Sequence, residues 1–529
     1  MSISIDGLVS GTNYTSLIQQ LIDIERQPIK LIENKQTILK EEKTAWSAIS
    51  PKLVSLESAA NDLKSAQKFS SLSASFQNNN SAGGSVLSVT ATTSAAAGTY
   101  NVKVTQLAAN QISASSQTFA SMTTAAGLSG TLSIGATNVS ITSGQSLSDI
   151  LSNINNSAAA ATATIVNSGT TASPLYKLVL SGDDTGAAGA FTASTVMDAG
   201  ALSFTTTQSA QNALFTVNGI SISKDTNTAT DVISGVTLNL QTSGSGAVTV
   251  ATDYAGIVTK VEKFVAAYND ALNLISNELK YDPSTKSKGA LFGNNALMTI
   301  QNQLRSIVSG AVPGLDPTDT STLSTLSQVG IMMDRNFQLT VDTAELSSAL
   351  QTNFAQVQNL FAPSGSGTYT FVAASGKTQG GTYSTRVSGG VFQMKLSGTS
   401  DWISLTQDGN FALGQAGTSL EGLLIRTGSL VESATGQMKI TVGVAERVAT
   451  NASTYTEYSA EGLIYTQTKS IDDRDREYQD NIDALNVRIT KKEVDLKAKF
   501  ANLEVLLAKM SSQQQYLNNQ LTNLNKNWR

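Results

Sequence analysis

Cysteine and histidine are both absent from the 529 residues. Without thiols there is no disulfide framework, no thiolate nucleophile and no cysteine-based zinc site. Without imidazole there is no Ser-His-Asp triad, no histidine general base and no histidine ligand. A carboxylate-only enzyme or a calcium site stays open, but most hydrolase and transferase chemistries are excluded. Charge is sparse as well, at 14% of residues, and concentrates in the two ends of the chain. Lys plus Arg number 35 against 40 Asp plus Glu. This mild acidity argues against nucleic acid as the main partner, which calls for a basic face. No apolar run is long enough to span a bilayer, so no membrane span is expected. The first twenty residues have neither a basic start nor a continuous apolar stretch and do not read as a secretory signal. The chain is therefore expected to be cytoplasmic, or exported by a route that reads no such signal.

What is present is organised around the last stretch, Ile471 to Trp528, which contains no proline and no glycine. Its apolar residues recur at steps of four and three: Tyr478, Ile482, Leu485, Ile489, Leu496, Phe500, Leu503, Leu507, Met510, Leu517, Leu521 and Leu524. That spacing keeps one stripe facing a partner helix and predicts a coiled-coil seam. Lys492 occupies the slot before Leu496, and the successive steps of four through Phe500 make a stutter that locally unwinds the supercoil. As a helix the stretch is roughly 85 Å long at about 1.5 Å per residue. A rod of that length needs another long helix, from this chain or from a neighbour.

The other end supplies a candidate. From Leu17 the same steps run through Leu21, Ile24, Pro28, Leu31, Lys35, Ile38, Glu42, Ala45, Ile49, Leu53, Leu56, Ala60 and Leu63. Pro28 and Pro51 each remove a helical hydrogen bond and are expected to kink or break the helix. Residues 1–16 read as an irregular arm.

Between the ends, composition shifts to Ser, Thr, Ala, Gly and Asn. Ser70–Ser85 reads as a linker. Short alternating runs follow, among them 86–92, 99–105, 131–134, 138–141, 163–166 and 176–180, with a helix over Leu147–Ile154. Asn218-Gly219 between two alternating runs predicts a hairpin, because both residues tolerate the positive φ of a type I′ turn. Helices return at Tyr254–Glu278, with Val258, Val261, Val265, Tyr268 and Leu272 on one face, and at Asn294–Val308. A small hairpin is expected across Arg335-Asn336, then a helix capped by Asp342 and another started at Thr352 or Asn353. After Pro363 β-rich sequence resumes to about Gly443, and helix from Val444, with a break near Gly462.

Local motifs are weak. Gly376-Lys377-Thr378 lacks the first glycine of a phosphate loop, since position 371 is Phe371, and reads as a turn. Asp183-Asp184 and the cluster Asp472–Asp475 lack the ligand pattern of a calcium loop. A carboxylate pair for glycoside hydrolysis stays open, although Trp402 is the sole tryptophan of the β-rich regions.

An ordered set of segments carries more. Gly7-Leu8-Val9-Ser10-Gly11, Glu25-Arg26-Gln27-Pro28-Ile29, residues 98–108 ending in Gln106-Leu107-Ala108, residues 213–219, Asn227, residues 231–238, Phe264–Asn269, Gly289–Asn294 and Gly330-Ile331 appear in this order. In this the chain resembles the flagellar hook-associated protein 2 family, the bacterial filament caps. The resemblance spans nearly the whole chain and is thinner over 111–204 and 364–425. It implies a multidomain α+β fold, with long terminal coiled-coil helices, a helical domain, and β-rich domains inserted between helical segments. It implies a non-enzymatic assembly protein at the distal, extracellular tip of the flagellum, exported by type III secretion. Its implied partners are further copies of itself in a pentamer-like ring, flagellin, an export chaperone and the export apparatus, with no cofactor.

On that footing the expected domains are an N-terminal arm and helical leg (1–42), and a helical domain (43–69 with 254–362 and 444–475). A β-rich plate (70–110 with 205–253) carries an outer β-rich insertion (111–204). A second β-rich insertion (363–443) and a C-terminal leg (476–529) complete the chain. The expected docking residues are Leu17, Leu21, Ile24, Leu31, Ile38, Leu485, Ile489, Leu496, Phe500, Leu503, Leu507, Leu517, Leu521 and Leu524. An adhesin or glycan-binding surface protein is the alternative from another class, and a carboxylate glycosidase a third.

Overall fold

The structure, a computed structural model, describes residues 11, 13–79, 84–459 and 461–526, the side chains of the last three excepted. The fold is α+β, with long helices at both ends and antiparallel sheets between. It comprises two compact units, Met1–Phe69 with Val258–Arg529, and Ser70–Ile257.

In the second unit, a five-stranded sheet has the order 72–78, 244–252, 98–106, 213–217, 220–224. A three-stranded sheet of 228–233, 236–240 and 87–91 shares its core, built from Val102, Val104, Phe215, Leu238 and Val248. Alternation produces this: every second side chain of a strand points to the same face. The expected Asn218-Gly219 hairpin is present, with φ of 48° and 84° at its two central residues. Of the serine-rich segment 70–85 expected as a linker, residues 80–83 lie outside the described residues and 72–78 is not linker. Leu72–Asn78 is a strand paired over seven residues with 246–252, and Leu72, Ala74 and Phe76 turn toward the core. A separate core (Leu132, Ile150, Leu178, Leu180) lies among strands 112–208 and the helix Leu147–Asn155. That helix carries a capping box, with Ser146 Oγ and Asp149 reciprocally bonded.

In the first unit, the helical core holds Trp46, Ile49, Leu53, Leu56, Val261, Tyr268 and Leu272, all buried. Lys52 pairs with Asp270 at 2.8 Å, and the Phe69 ring lies 5.8 and 5.6 Å from those of Phe354 and Phe361. The expected Asp342 cap holds, its carboxylate accepting from the amides of Ala344 and Glu345. The small hairpin expected across Arg335-Asn336 is present: 331–333 pairs with 339–341, and the Phe337 amide donates to the Asp334 carbonyl around those two residues, with a positive φ (64°) at Phe337. Residues 364–441 form two further antiparallel sheets around Tyr383, Phe392, Met394, Leu423 and Met438.

The N-terminal helix begins at Tyr14, earlier than expected, because Asn13 Oδ1 accepts from the Ser16 amide at 2.7 Å. The helix is interrupted at Arg26, and Pro28 sits at the start of the next helix, Gln27–Asn61. Pro51 lies inside that helix without ending it. The C-terminal helix runs unbroken from Leu463 to Lys526, about 96 Å at the usual rise.

Candidate functional site

The two chain ends form an antiparallel pair. Tyr14 stacks on Phe500 with ring centroids 5.0 Å apart, and the pairing then climbs one helix as it descends the other. Glu25 meets Lys492, Lys35 lies over the Tyr478 ring, Gln36 bonds Gln479, and Lys43 meets Asp472. The apolar centre is a cluster of Ile18, Ile22, Ile29, Ile482 and Ile489, flanked by Ile32, Leu485, Leu496 and Phe500. Leu485, Ile489, Leu496 and Phe500 therefore lie in the seam the spacing predicts.

The N-terminal partners are not the expected ones. Leu17, Leu21, Ile24, Leu31 and Ile38 are all exposed, Ile24 by 66% and Leu31 by 64%. The buried set is displaced by one residue: Ile18, Ile22, Ile29, Gln36 and Leu39. One residue is about 100° of rotation on a helix, so the expected stripe lies on a different face. The sequence carries both apolar heptads side by side. Their polar neighbours select between them: Gln36 Nε2 donates to the Asp475 carbonyl and to Gln479 Oε1, both at 3.4 Å, from within the seam. From Ile49 upward the expected positions and the buried ones coincide.

The stutter also moves. Lys492 points outward to Glu25, and the half-buried position beyond Ile489 is Glu493. Steps of four then run from Leu496 through Phe500 to Glu504, which is buried. Leu503 is rotated out and 40% exposed, while Leu507 is half-buried. Beyond it Met510, Leu517 and Leu521 are exposed by 58%, 60% and 58%. Leu524 lies outside the described side chains, and Trp528 and residues 1–10 lie outside the described residues.

Lys492 holds the Glu25 carboxyl below its ordinary value, by hydrogen bond and then by charge. The Asp282 carboxyl is depressed to about 2 by the Ser284 hydroxyl and amide within a turn. Lys377 of the Gly-Lys-Thr segment pairs with Glu421 at 2.8 Å, and Thr378 Oγ1 donates to the Glu421 carbonyl. Asp183 accepts from Thr162 Oγ1, and Asp472 is engaged by Lys43. Among the described residues no three Asp or Glu are grouped to hold a metal, and no helix is long and apolar enough to cross a membrane.

Residues 10–111 match the family model of the flagellar hook-associated protein 2 N-terminus, and 210–512 that of its C-terminus. A flagellar hook-associated protein 2 of Escherichia coli O157:H7 is 29% identical over 69% of this chain and 81% of its own length. An A-type flagellar hook-associated protein 2 of Pseudomonas aeruginosa is 25% identical over 84% of this chain and 96% of its own. A crystal structure of the D1-D2-D3 domains of the Escherichia coli flagellar cap protein aligns over 81% of this chain and 99% of its own, with 24% identity and a TM-score of 0.49. The two family matches lie in chain order and enclose both the N-terminal helices and most of the C-terminal one: this chain belongs to the flagellar hook-associated protein 2 family.

Proposed function

We propose that the chain is a non-catalytic assembly protein that caps the distal end of the flagellar filament. Copies of the chain form a ring there, outside the cell. The paired terminal helices act as legs that reach among the helices of flagellin subunits, and the ring retains exported flagellin while it folds and joins the filament. An export chaperone and the export apparatus deliver the chain. The remaining domain assignments follow the same reading, with the β-rich regions as plate and outer domains.

One observation carries the reading. Beyond Phe500, which packs on the N-terminal helices, the apolar stripe of the C-terminal helix continues, and Met510, Leu517 and Leu521 are exposed. Each fully buried leucine-sized side chain is worth about 1.5–3 kcal/mol, so an exposed stripe favours a partner helix. The outer face of the N-terminal helices, with Leu17, Leu21, Ile24, Leu31 and Ile38, offers a second such stripe.

The test is the pair Leu517→Asp and Leu521→Asp, at two exposed positions beyond the described seam. Cells carrying it should export flagellin into the medium and lose swimming, while the purified variant melts like the parent. Normal filaments and swimming with this variant would remove the legs from the proposal.

A further inference from the structure

The sheet of residues 364–367, 435–441, 381–388, 391–396 and 403–404 buries Tyr383, Phe392, Met394 and Met438 on one face. Its other face follows from the register. Thr435, Arg386, Gln393 and Ser404 form one cross-strand row, since Arg386 pairs with Thr435 and Gln393, and Gln393 with Ser404. Gln437, Ser384 and Lys395 form the next, and one further step of the same register brings Trp402 beside Lys395. Every group in these rows is a hydroxyl, an amide, a cation or the indole; no carboxylate belongs to them.

The two cations converge. The Arg386 guanidinium lies over the Trp402 ring at 4.1 Å from its centroid, and the Lys395 ammonium at 5.2 Å. They are thus no more than about 9 Å apart. Arg386 Nε donates to Gln393 Oε1 at 2.7 Å, whose amide nitrogen donates to Ser404 Oγ at 3.1 Å. This chain of bonds anchors the guanidinium through Nε, and among the described residues its terminal nitrogens are left for another acceptor. Among the described residues neither cation has a carboxylate within ion-pair distance. Asp401, next to Trp402, accepts from Ser400 Oγ, and Glu432 accepts from the amides of Gly389 and Gly390. Lys439, the third cation of this face, differs, because it lies near Asp316 and Asp319, carboxylates held below their ordinary range chiefly by the hydroxyls of Thr318 and of Ser321 and Thr322, and least by Lys439 itself.

We propose that Arg386 and Lys395, held around the Trp402 indole, form a binding site for an oxyanion, a sulfate, phosphate or carboxylate group. An aromatic face attracts cations but leaves their charge uncompensated. An arginine with free terminal nitrogens takes such a group through paired, charge-assisted hydrogen bonds, and the lysine adds a point charge. The adjacent Ser384, Ser404 and Gln437 supply donors for hydroxyl-bearing neighbours of the anion. The group can come from free ions or from a polymer that carries it.

The full chain is titrated by calorimetry at low ionic strength with inorganic sulfate, dextran sulfate and neutral dextran, while tryptophan fluorescence is followed in parallel. Binding of sulfate and dextran sulfate alike identifies a free-ion site; binding of dextran sulfate alone identifies a polymer-borne group. In either case Arg386→Gln and Lys395→Gln should each weaken affinity at least tenfold, Lys439→Gln should leave it within twofold, and Trp402→Phe should remove the fluorescence response. Melting curves unchanged from the parent confirm that these variants are folded. Absence of binding to both sulfate probes, equal binding of neutral dextran, or parental affinity in both Arg386→Gln and Lys395→Gln would overturn the site.

Discussion

The helix Gln27–Asn61 shows one sequence pattern in two settings. Its upper part, from Trp46 to Ala60, sits in the helical core with Trp46, Leu53 and Leu56 fully buried. Its lower part keeps the same apolar spacing but has one partner helix, and Leu31 and Ile38 stay in water. The difference teaches that periodicity sets which residues can share a face, whereas the number of partners decides how many stripes are used. A core helix surrounded by neighbours uses nearly all its apolar residues; a two-helix leg uses one stripe and leaves the rest for another molecule.

The comparison breaks most visibly at Trp46. Trp46→Ala removes a fully buried indole and should cost about 3–5 kcal/mol by chemical denaturation of the unit that contains it. The matching change in the leg, Ile489→Ala, empties a seam position packed on one helix only. It should cost near the low end for such truncations, about 2 kcal/mol. Limited proteolysis should then cut the terminal helices sooner while leaving residues 70–257 intact. Equal losses for the two substitutions would mean that the leg is as well packed as the core.

A smaller effect sharpens the same contrast. The leg is held partly by surface ion pairs, among them Glu25 with Lys492. The Glu25 carboxyl is held below its ordinary value of about 4.5 in the folded leg, by the Lys492 hydrogen bond and then its charge. A carboxyl depressed by folding contributes stability above its unfolded value and loses it as pH falls through the folded one. Helical signal from the leg should therefore weaken below about pH 4.5, and Glu25→Gln should flatten that part of the profile. Because Lys492 is exposed and Glu25 half-buried, both within reach of solvent ions, the profile should also flatten in high salt.

Much of the architecture was legible because local and tertiary preferences agree. Asn218-Gly219 allows one kind of turn, Asp342 caps the helix it precedes, and the C-terminal stretch without breakers forms one helix. The failures fall where a distant partner decides. Leu72–Asn78 looks like linker because serine and asparagine surround Leu72, Ala74 and Phe76; it is a strand through its pairing with residues 246–252, far along the chain. The N-terminal seam carries two apolar heptads one residue apart, and only the opposing Tyr478, Gln479 and Lys492 choose between them. The Arg386, Lys395 and Trp402 cluster has no spacing signal, because strand register brings it together.

The smallest expected effect tests whether the core itself is fully optimised. Tyr268 is buried in the helical core, and its hydroxyl has no hydrogen-bond partner. Burial raises its phenol well above the usual value, with nearby Arg305 acting weakly the other way. A buried hydroxyl without a partner has lost its water without compensation, so deleting it costs little. Tyr268→Phe keeps the ring and should leave stability unchanged or raise it by up to about 1 kcal/mol in denaturant unfolding. A loss of more than that would show that the hydroxyl bonds a group such as ordered water, and that the core depends on polar satisfaction as the leg does at Gln36.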